Sequence, residues 1–330
     1  MSDSSAYASL LSRFAGKRVL VVGDLMLDEH IWGTVERISP EAPVMVVRAD
    51  CDSDCLPGGA ANVANNIRAL GGEAGVVGVI GEDEGGQILR RVLSDAGVDV
   101  SGVFTDNKRP TTRKTRIWAS HRHQVVRIDR ESNSAISSSI VKRMIDYIRS
   151  SSADIDAVLL SDYAKGVISR QVVSAAVQSS KIAISNAKPR SLTCVDGVGV
   201  ITMNLFEASA ASRIDIDDQH DLERAGRRLV DQIRCKGLVI TRGAHGLSVF
   251  EDSGHITHIP AIETEVYDVA GAGDTVVSAL TMALACGAQL PVAGSIANCA
   301  GAAVVRKVGV ATTTTDEIAA LLGQAKSGLI

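Results

Sequence analysis

Asp268-Val-Ala-Gly-Ala-Gly-Asp274 runs directly into Thr275-Val-Val-Ser-Ala-Leu-Thr-Met-Ala-Leu-Ala-Cys286, so a turn of small residues with an acid at each end opens into a helix. Gly271, Ala272 and Gly273 let a phosphate approach the backbone, where the unpaired N–H groups and positive dipole end of the helix point at it. A carboxylate at Asp274 is out of place in a phosphate cradle unless something there must lose a proton. A sugar hydroxyl attacking a γ-phosphate does. The plainer reading is a helix cap with glycines making the turn.

Further patterns bear on the same chemistry. Asn204-Leu-Phe-Glu207 follows a strand, and its amide and carboxylate suit a Mg²⁺ shell held through water, or equally a capping box. Thr241-Arg-Gly-Ala-His-Gly246 is a turn whose glycines would admit a nucleotide, or a plain β-turn. Gly58-Gly59-Ala-Ala-Asn62 opens a helix, and with Asp24 and Asp28 after the first strand it offers the paired donors and acceptors that sugar hydroxyls need. The stretch from Asn107 to Arg130 holds eight Lys or Arg and a single acid, Asp129. It reads as a solvated face, as a grip on one anionic group through Lys114 and Arg116, which share strand parity, or as a nucleic-acid surface with Trp118.

These residues need a frame. Val19-Leu-Val-Val-Gly-Asp24 is a buried strand delivering polar residues at its carboxyl end, where parallel sheets bind ligands. A glycine turn and a helix from Pro57 to Leu70, a strand over 74–80 and a helix over 84–96 follow. From 157 onward strands (157–161, 182–185, 198–203, 237–241) alternate with helices (from Ser169 and over 221–234), then comes a hairpin over 247–259 and two closing helices, after Asp274 and from Pro291. This alternation predicts an α/β fold, a mostly parallel sheet covered on both faces. The extended segments 30–50 and 105–130, the latter a hairpin turning at 119–123, break the alternation and are expected to form a small β-sheet lid on a single domain spanning 1–330.

With 22% charged residues, a net charge of −4 and 3% aromatics, the chain has an aliphatic interior and no global pull toward nucleic acid or anionic membrane. No signal-like start or long apolar run is present, so the expected location is the cytoplasm. Cys51, Cys55, Cys194, Cys235, Cys286 and Cys299 lack metal-site spacing and read as reduced thiols.

Taken in order, the patterns resemble the ribokinase or PfkB family of sugar kinases, whose signatures stand here as Gly58-Gly-Ala-Ala-Asn-Val-Ala64 and Asp268-Val-Ala-Gly-Ala-Gly-Asp274. Arg37-Ile-Ser-Pro-Glu-Ala-Pro-Val44, Leu160-Ser-Asp-Tyr-Ala-Lys-Gly166 and Glu265-Val-Tyr-Asp-Val269 look like the members that phosphorylate D-glycero-β-D-manno-heptose 7-phosphate at its anomeric oxygen. The resemblance implies a ribokinase-like three-layer α/β/α core. Asp274 would be the base, and Gly271, Ala272 and Gly273 the anion hole. Asn204 and Glu207 would organise Mg²⁺ and ATP, with Thr241, Gly243, Gly246, Asn298, Asn186 and Lys188 around the nucleotide. Asp28, Gly58, Gly59 and Asn62 would hold heptose hydroxyls, and Lys114, Arg116, Lys165 and Arg37 the anionic end. It further implies K⁺ near Asp268 and Thr313 and a homodimer through the lid.

Two departures stand out: Asn186-Ala-Lys188 where relatives often read Asp-Pro-Lys, and Ala270 in place of the usual Thr. Bifunctional relatives add a nucleotidyltransferase domain, whereas this chain ends soon after the Gly-Ala-Gly-Asp helix, so kinase activity alone is expected. The rival readings are a related kinase for another sugar or sugar phosphate, and a non-catalytic sugar or nucleotide sensor on the same fold.

Overall fold

The computed structural model describes residues 3–119 and 123–327. After α1 (Asp3–Ser12), the first strand β1 (Arg18–Gly23) sends Val19 and Val21 into one apolar cluster and Leu20 and Val22 into another. A strand buried on both faces has to be covered on both, which fixes three layers. Next come β2 (Leu25–Ile38), β3 (Met45–Gly59), α2 (Ala60–Ala69), β4 (Glu73–Gly81), α3 (Glu84–Asp95), β5 (Asp99–Asp106), β6 (Thr112–Ala119), β7 (His123–Arg130) and α4 (Ser138–Ser150). The second half holds β8 (Ala157–Ser161), α5 (Arg170–Gln178), β9 (Ala183–Ser185), β10 (Val200–Asn204), α6 (Leu205–Ser212), α7 (Gln219–Ile233), β11 (Gly237–Thr241), β12 (Leu247–Glu251), β13 (Ile256–Ile259), α8 (Ala272–Ala285), α9 (Leu290–Val304) and α10 (Thr315–Ser327).

The main sheet is 9-stranded in the order β13-β12-β11-β10-β9-β8-β1-β4-β5. It is parallel apart from β12 and β13, which pair antiparallel at one edge. Helices α2, α8 and α9 supply the cluster on one face, and α4, α5 and α7 the cluster on the other. The chain leaves β1 toward β4 and β5, then returns to place β8 on the other side of β1. The order of strands reverses there, which opens a crevice at the carboxyl ends of β1 and β8. No helix among the described residues is long and apolar enough to cross a membrane.

A second sheet, ordered β3-β2-β6-β7, stands on the same carboxyl end. Its strands reach beyond the expected 30–50, from Leu25 to Gly59, because Leu25, Met26 and Leu27 pair with Gly59, Gly58 and Pro57. The expected glycine turn at 57–59 is therefore the end of an edge strand, the one place in a sheet where a proline costs no ladder bond. In the other direction β5, ending at Asp106, belongs to the main sheet, so the second sheet resumes only at Thr112. The middle of the expected turn, residues 120–122, and the Cys51 side chain lie outside the described residues. Helices α1, α4 and α10 have no counterpart in the sequence expectation, although Ile140, Val141, Met144 and Ile148 of α4 are buried at helical spacing.

Helix α7 packs through Gly226 on Phe250 of β12, and a Cβ at Gly226 would lie 2.3 Å from Phe250 Cε1. Gly226→Ala is expected to lower stability by roughly 1–3 kcal/mol despite the better helix propensity of alanine, read as a lower melting temperature.

Candidate active site

Asp24, the first residue after β1, is 1% exposed and binds three segments at once. Its N–H donates to the Ser161 carbonyl at 3.1 Å, and its own carbonyl accepts from the Ala60 N–H at 3.0 Å. The carboxylate takes the N–H groups of Tyr163 at 2.8 Å, Lys165 at 3.0 Å and Val167 at 3.2 Å. Asp24 is thus committed to the backbone, which corrects its assignment to sugar hydroxyls. Burial pushes its carboxyl up from the ordinary range, and the three N–H donors pull it back only in part.

The loop that Asp24 pins carries Tyr163 to Asp274. Asp274 sits in the first turn of α8, buried, with Gly271 at the N-cap in the left-handed region at φ 76°. Asn62 Nδ2 donates to Asp274 Oδ2 at 2.7 Å, and the Tyr163 hydroxyl donates to Oδ1. Asn62 is itself fixed. Asn66 Nδ2 donates to its carbonyl at 2.9 Å, and the Thr275 hydroxyl donates to Asn66 Oδ1 at 2.7 Å, tying α2 to α8. A Cβ at Gly273 would have nothing within 4 Å, so the start of α8 is open on that side. The Ala272 N–H is turned back to the Val269 carbonyl at 3.3 Å, a long bond that an anion would displace.

On the second sheet, Asp28 faces Lys114 across β2 and β6, and His30 faces Arg116. The shared parity of Lys114 and Arg116 is realised, but the two sequence-derived groups meet each other: Arg116 Nη1 lies 2.5 Å from Asp28 Oδ1. Lys114 Nζ stands 5.7 Å from the centre of the Tyr163 ring. A Cβ at Gly58 would lie 2.3 Å from Asp28 Oδ2, so the Asp28 carboxylate stands directly over this glycine; Gly59, at φ 56°, caps α2. Two more of the hairpin charges are paired, Arg113 with Glu29 and Arg127 with Asp129. Lys165 Nζ goes to Glu131 at 2.7 Å and Asn133 at 3.1 Å, and Arg37 is exposed toward the far end of β2.

On the other side of Tyr163, Asn204 and Glu207 form a full capping box on α6, with bonds of 3.0 and 2.8 Å, and Glu207 also pairs with Lys188. Lys188 Nζ lies 5.4 Å from the Tyr163 ring centre. Asn186 Oδ1 accepts from the Asp162 N–H at 2.8 Å. Thr241 is the register partner of Asn204; Gly243 and Gly246 follow it at φ 57° and 81°, and Asn298 donates to the Pro260 carbonyl at 2.9 Å. Asp268 accepts from the N–H groups of Ala270 at 2.9 Å and Gly309 at 3.0 Å, while Thr313 donates to Glu317 at 2.8 Å.

The pattern of the pfkB family carbohydrate kinases matches residues 17–317. The chain belongs to the pfkB family. Among relatives of this kinase, the bifunctional protein HldE of Citrifermentans bemidjiense is 43% identical over 319 residues, 96% of this chain and 65% of that protein. The HldE of Helicobacter hepaticus is 41% identical over 305 residues, 91% of this chain and 63% of its own length. The pfkB chain thus spans about 65% of the first of these relatives. Arabidopsis thaliana ribokinase, complexed with ribose and ATP, has a TM-score of 0.74 at 20% identity, covering 93% of this chain and 99% of that one. Escherichia coli phosphofructokinase-2 in complex with potassium has a TM-score of 0.77 at 19% identity, covering 94% and 99%. These two share the fold.

Within the pfkB frame, Tyr163 is the site residue that the sequence reading left without a role. Its signal was its place two residues beyond β8, at a carboxyl end beside β1. Also unassigned was the stack of Trp32 on Trp118 at 5.4 Å, with His30 at 5.7 Å from Trp118, on the Asp28 face of the second sheet.

Burial raises the Asp274 carboxyl from its ordinary range, opposed by the bonds from Tyr163 and Asn62. An acid raised on folding favours the fold while protonated, and that contribution is lost as pH rises from the ordinary carboxylate pKa through the raised one. Asp274→Asn keeps the site neutral and can accept from Asn62 while donating to Tyr163. Its melting temperature is expected to exceed that of the wild type by a margin that widens as pH rises above about 4, the ordinary carboxylate pKa, through the raised one.

Proposed function

We propose that this chain transfers the γ-phosphoryl group of ATP to the C1 hydroxyl of D-glycero-β-D-manno-heptose 7-phosphate, giving the 1,7-bisphosphate used in ADP-heptose biosynthesis for the lipopolysaccharide core. One observation carries the reading. Asp274, a buried carboxylate, stands at the open, small-residue start of α8, within the same cluster as Asp28 and Asn62. The HldE relatives, matched over nearly the whole of this chain, support the heptose as substrate. His30 Nε2 and Trp118 Nε1, buried without a partner on the Asp28 face, are the kind of orphaned polar atoms that a polyhydroxylated ligand satisfies.

Phosphoryl transfer needs positioning and charge stabilisation more than covalent help. Asp28 and Asn62, with the Gly58-Gly59 backbone, orient the sugar; Lys114 and Arg116, with Lys165 and Arg37 farther out, face its anionic end. Asp274 accepts the C1 proton late, as the oxygen–phosphorus bond forms. The N–H groups of Gly271, Ala272 and Gly273 take the charge that develops on the phosphoryl oxygens. Lys188, held by Glu207, stands between the nucleotide side and Tyr163, while Thr241, Gly243, Gly246, Asn298 and Asn186 shape the nucleotide side.

The donor set fits magnesium bound through water and phosphate oxygens. Glu207 is already engaged with Lys188 and Asn204, and the described residues hold no cluster of three or more His, Cys, Asp or Glu that could cage a metal. When bound, Mg²⁺ supplies charge neutralisation at the phosphates. The loops joined by Asp268, with Thr313 nearby in sequence to Gly309, are the corresponding place for K⁺. The second sheet serves as a lid that excludes water. Its outer face presents Val126 and Ile128, 43% and 53% exposed, opposite Ile117 and Thr115 and away from Asp28, which favours a homodimer through the lid. Such an enzyme works in the cytoplasm, with ATP.

In a panel of sugar phosphates, heptose 7-phosphate is expected to give the highest kcat/KM, and equal turnover of fructose 6-phosphate would overturn the substrate assignment. Asp274→Asn is expected to bind ATP and sugar yet lose turnover by roughly 10²–10⁴-fold. A non-catalytic sensor would show no turnover to lose. In sedimentation, Val126→Glu with Ile128→Glu is expected to yield a monomer from a dimeric wild type.

A further inference from the structure

We infer that Tyr163 is a displaceable cap on Asp274: its hydroxyl holds the place of the acceptor hydroxyl and yields it when the sugar binds. The inference rests on the reading of Asp274 as the proton acceptor. Each oxygen of the Asp274 carboxylate is occupied in the free chain, Oδ2 by Asn62 and Oδ1 by Tyr163. Each oxygen could accept a second bond, but Asp274 is only 7% exposed, so for a sugar hydroxyl to come within hydrogen-bond reach one of the two groups covering the carboxylate has to move aside.

Asn62 is the fixed one. It is 1% exposed and held by Asn66, which is held by Thr275, so its departure would strand buried polar groups on α2 and α8. Tyr163 is half-buried as a residue with its hydroxyl enclosed against Asp274, and nothing but Asp274 receives its hydroxyl proton among its described bonds. Its backbone N–H is pinned by Asp24, and the loop turns at Ala164, φ 61°, and Gly166, φ 91°, so the motion available is rotation of the side chain about a fixed backbone. The ring lies between two ammonium groups, Lys114 at 5.7 Å and Lys188 at 5.4 Å, one on the lid and one on the nucleotide side. Both are groups that bound phosphates would draw away from the ring.

The proton is accounted for at each stage. In the free chain the Tyr163 O–H donates to the Asp274 carboxylate; in the complex the C1 O–H takes that position. As the C1 oxygen bonds to the γ-phosphorus, the bond to the β,γ-bridging oxygen breaks with its electron pair leaving on ADP, and the C1 proton passes to Asp274. Tyr163 stays protonated: in the free chain burial and the neighbouring Asp274, Asp28 and Glu207 charges hold its pKa well above the ordinary tyrosine value, and once displaced it needs only that ordinary value, about 10, to keep its proton. The charged groups acting on Asp274 are Asp28 from the lid and Lys188 from the loop after β9.

Tyr163→Phe removes one donor that favours ionised Asp274 in the free enzyme but none in the complex. The pH profile of kcat/KM reports the free enzyme and that of kcat the complex. The expected result, with heptose 7-phosphate and ATP and a wild-type-like melting curve for the variant, is that the acid limb of kcat/KM moves to higher pH while the acid limb of kcat stays in place. A shift of both limbs would show Tyr163 still on Asp274 in the complex, and a shift of neither would show it absent from Asp274 in the free enzyme; each overturns the cap. Failure of the base reading is separately visible, as undiminished turnover of Asp274→Asn.

Discussion

The buried carboxylate of Asp24 is the constraint on which the site depends. A carboxyl group that has lost nearly all contact with water is tolerated only where hydrogen bonds replace that water, and here the replacement comes from alternate N–H groups of a loop that has no regular structure of its own. The same residue joins the end of β1 to the end of β8 and the start of α2. Asp162 does a parallel service one strand over, accepting from Ala164 at 2.7 Å and Lys188 at 3.0 Å. Tyr163 and Lys188 are therefore aimed by carboxylates whose own bonds go to backbone N–H groups.

Most of the core was legible because its signals are local. A β-branched run such as Val19–Val22, or Gly237–Thr241 before a glycine turn, has little else it can be, and the expected strands at 157–161 and 237–241 coincide with β8 and β11. The helix opened by Asp274 was equally plain. What escaped was decided at a distance. Leu25–Leu27 enters the second sheet rather than a loop because Pro57–Gly59 offers it a partner, and no window of sequence contains both. The role of Tyr163 depends on a residue more than a hundred positions away, and the assignment of Asp24 turned on counting backbone donors that a sequence does not display.

The basic hairpin shows the same limit from the side of charge. Composition reads it as a positive surface, whereas Arg113, Arg116 and Arg127 each have a carboxylate. Arg113 and the Thr115 hydroxyl hold Glu29, whose carboxyl they keep below the ordinary range despite burial. One face of the sheet is thereby locked by an ion pair and the other left with Lys114 free to face Tyr163. Pairing Arg116 with Asp28 keeps a buried acid and a half-buried base ready without leaving either charge uncompensated.

The position of β1 in the sheet also sets an order of events. Its neighbours are β4, which soon follows it, and β8, which begins only at Ala157. As the chain emerges from the ribosome, β1 can pair on one side early, but its other edge stays open until β8 has been made. Contacts that span such separations close slowly, since the entropy of the intervening loop is lost before they form. Asp24 has no donors to receive until the same moment. A nascent chain halted before residue 157 would hold an exposed sheet edge and an unsatisfied acid side by side, which makes this stretch of synthesis an interval of exposure to misassociation.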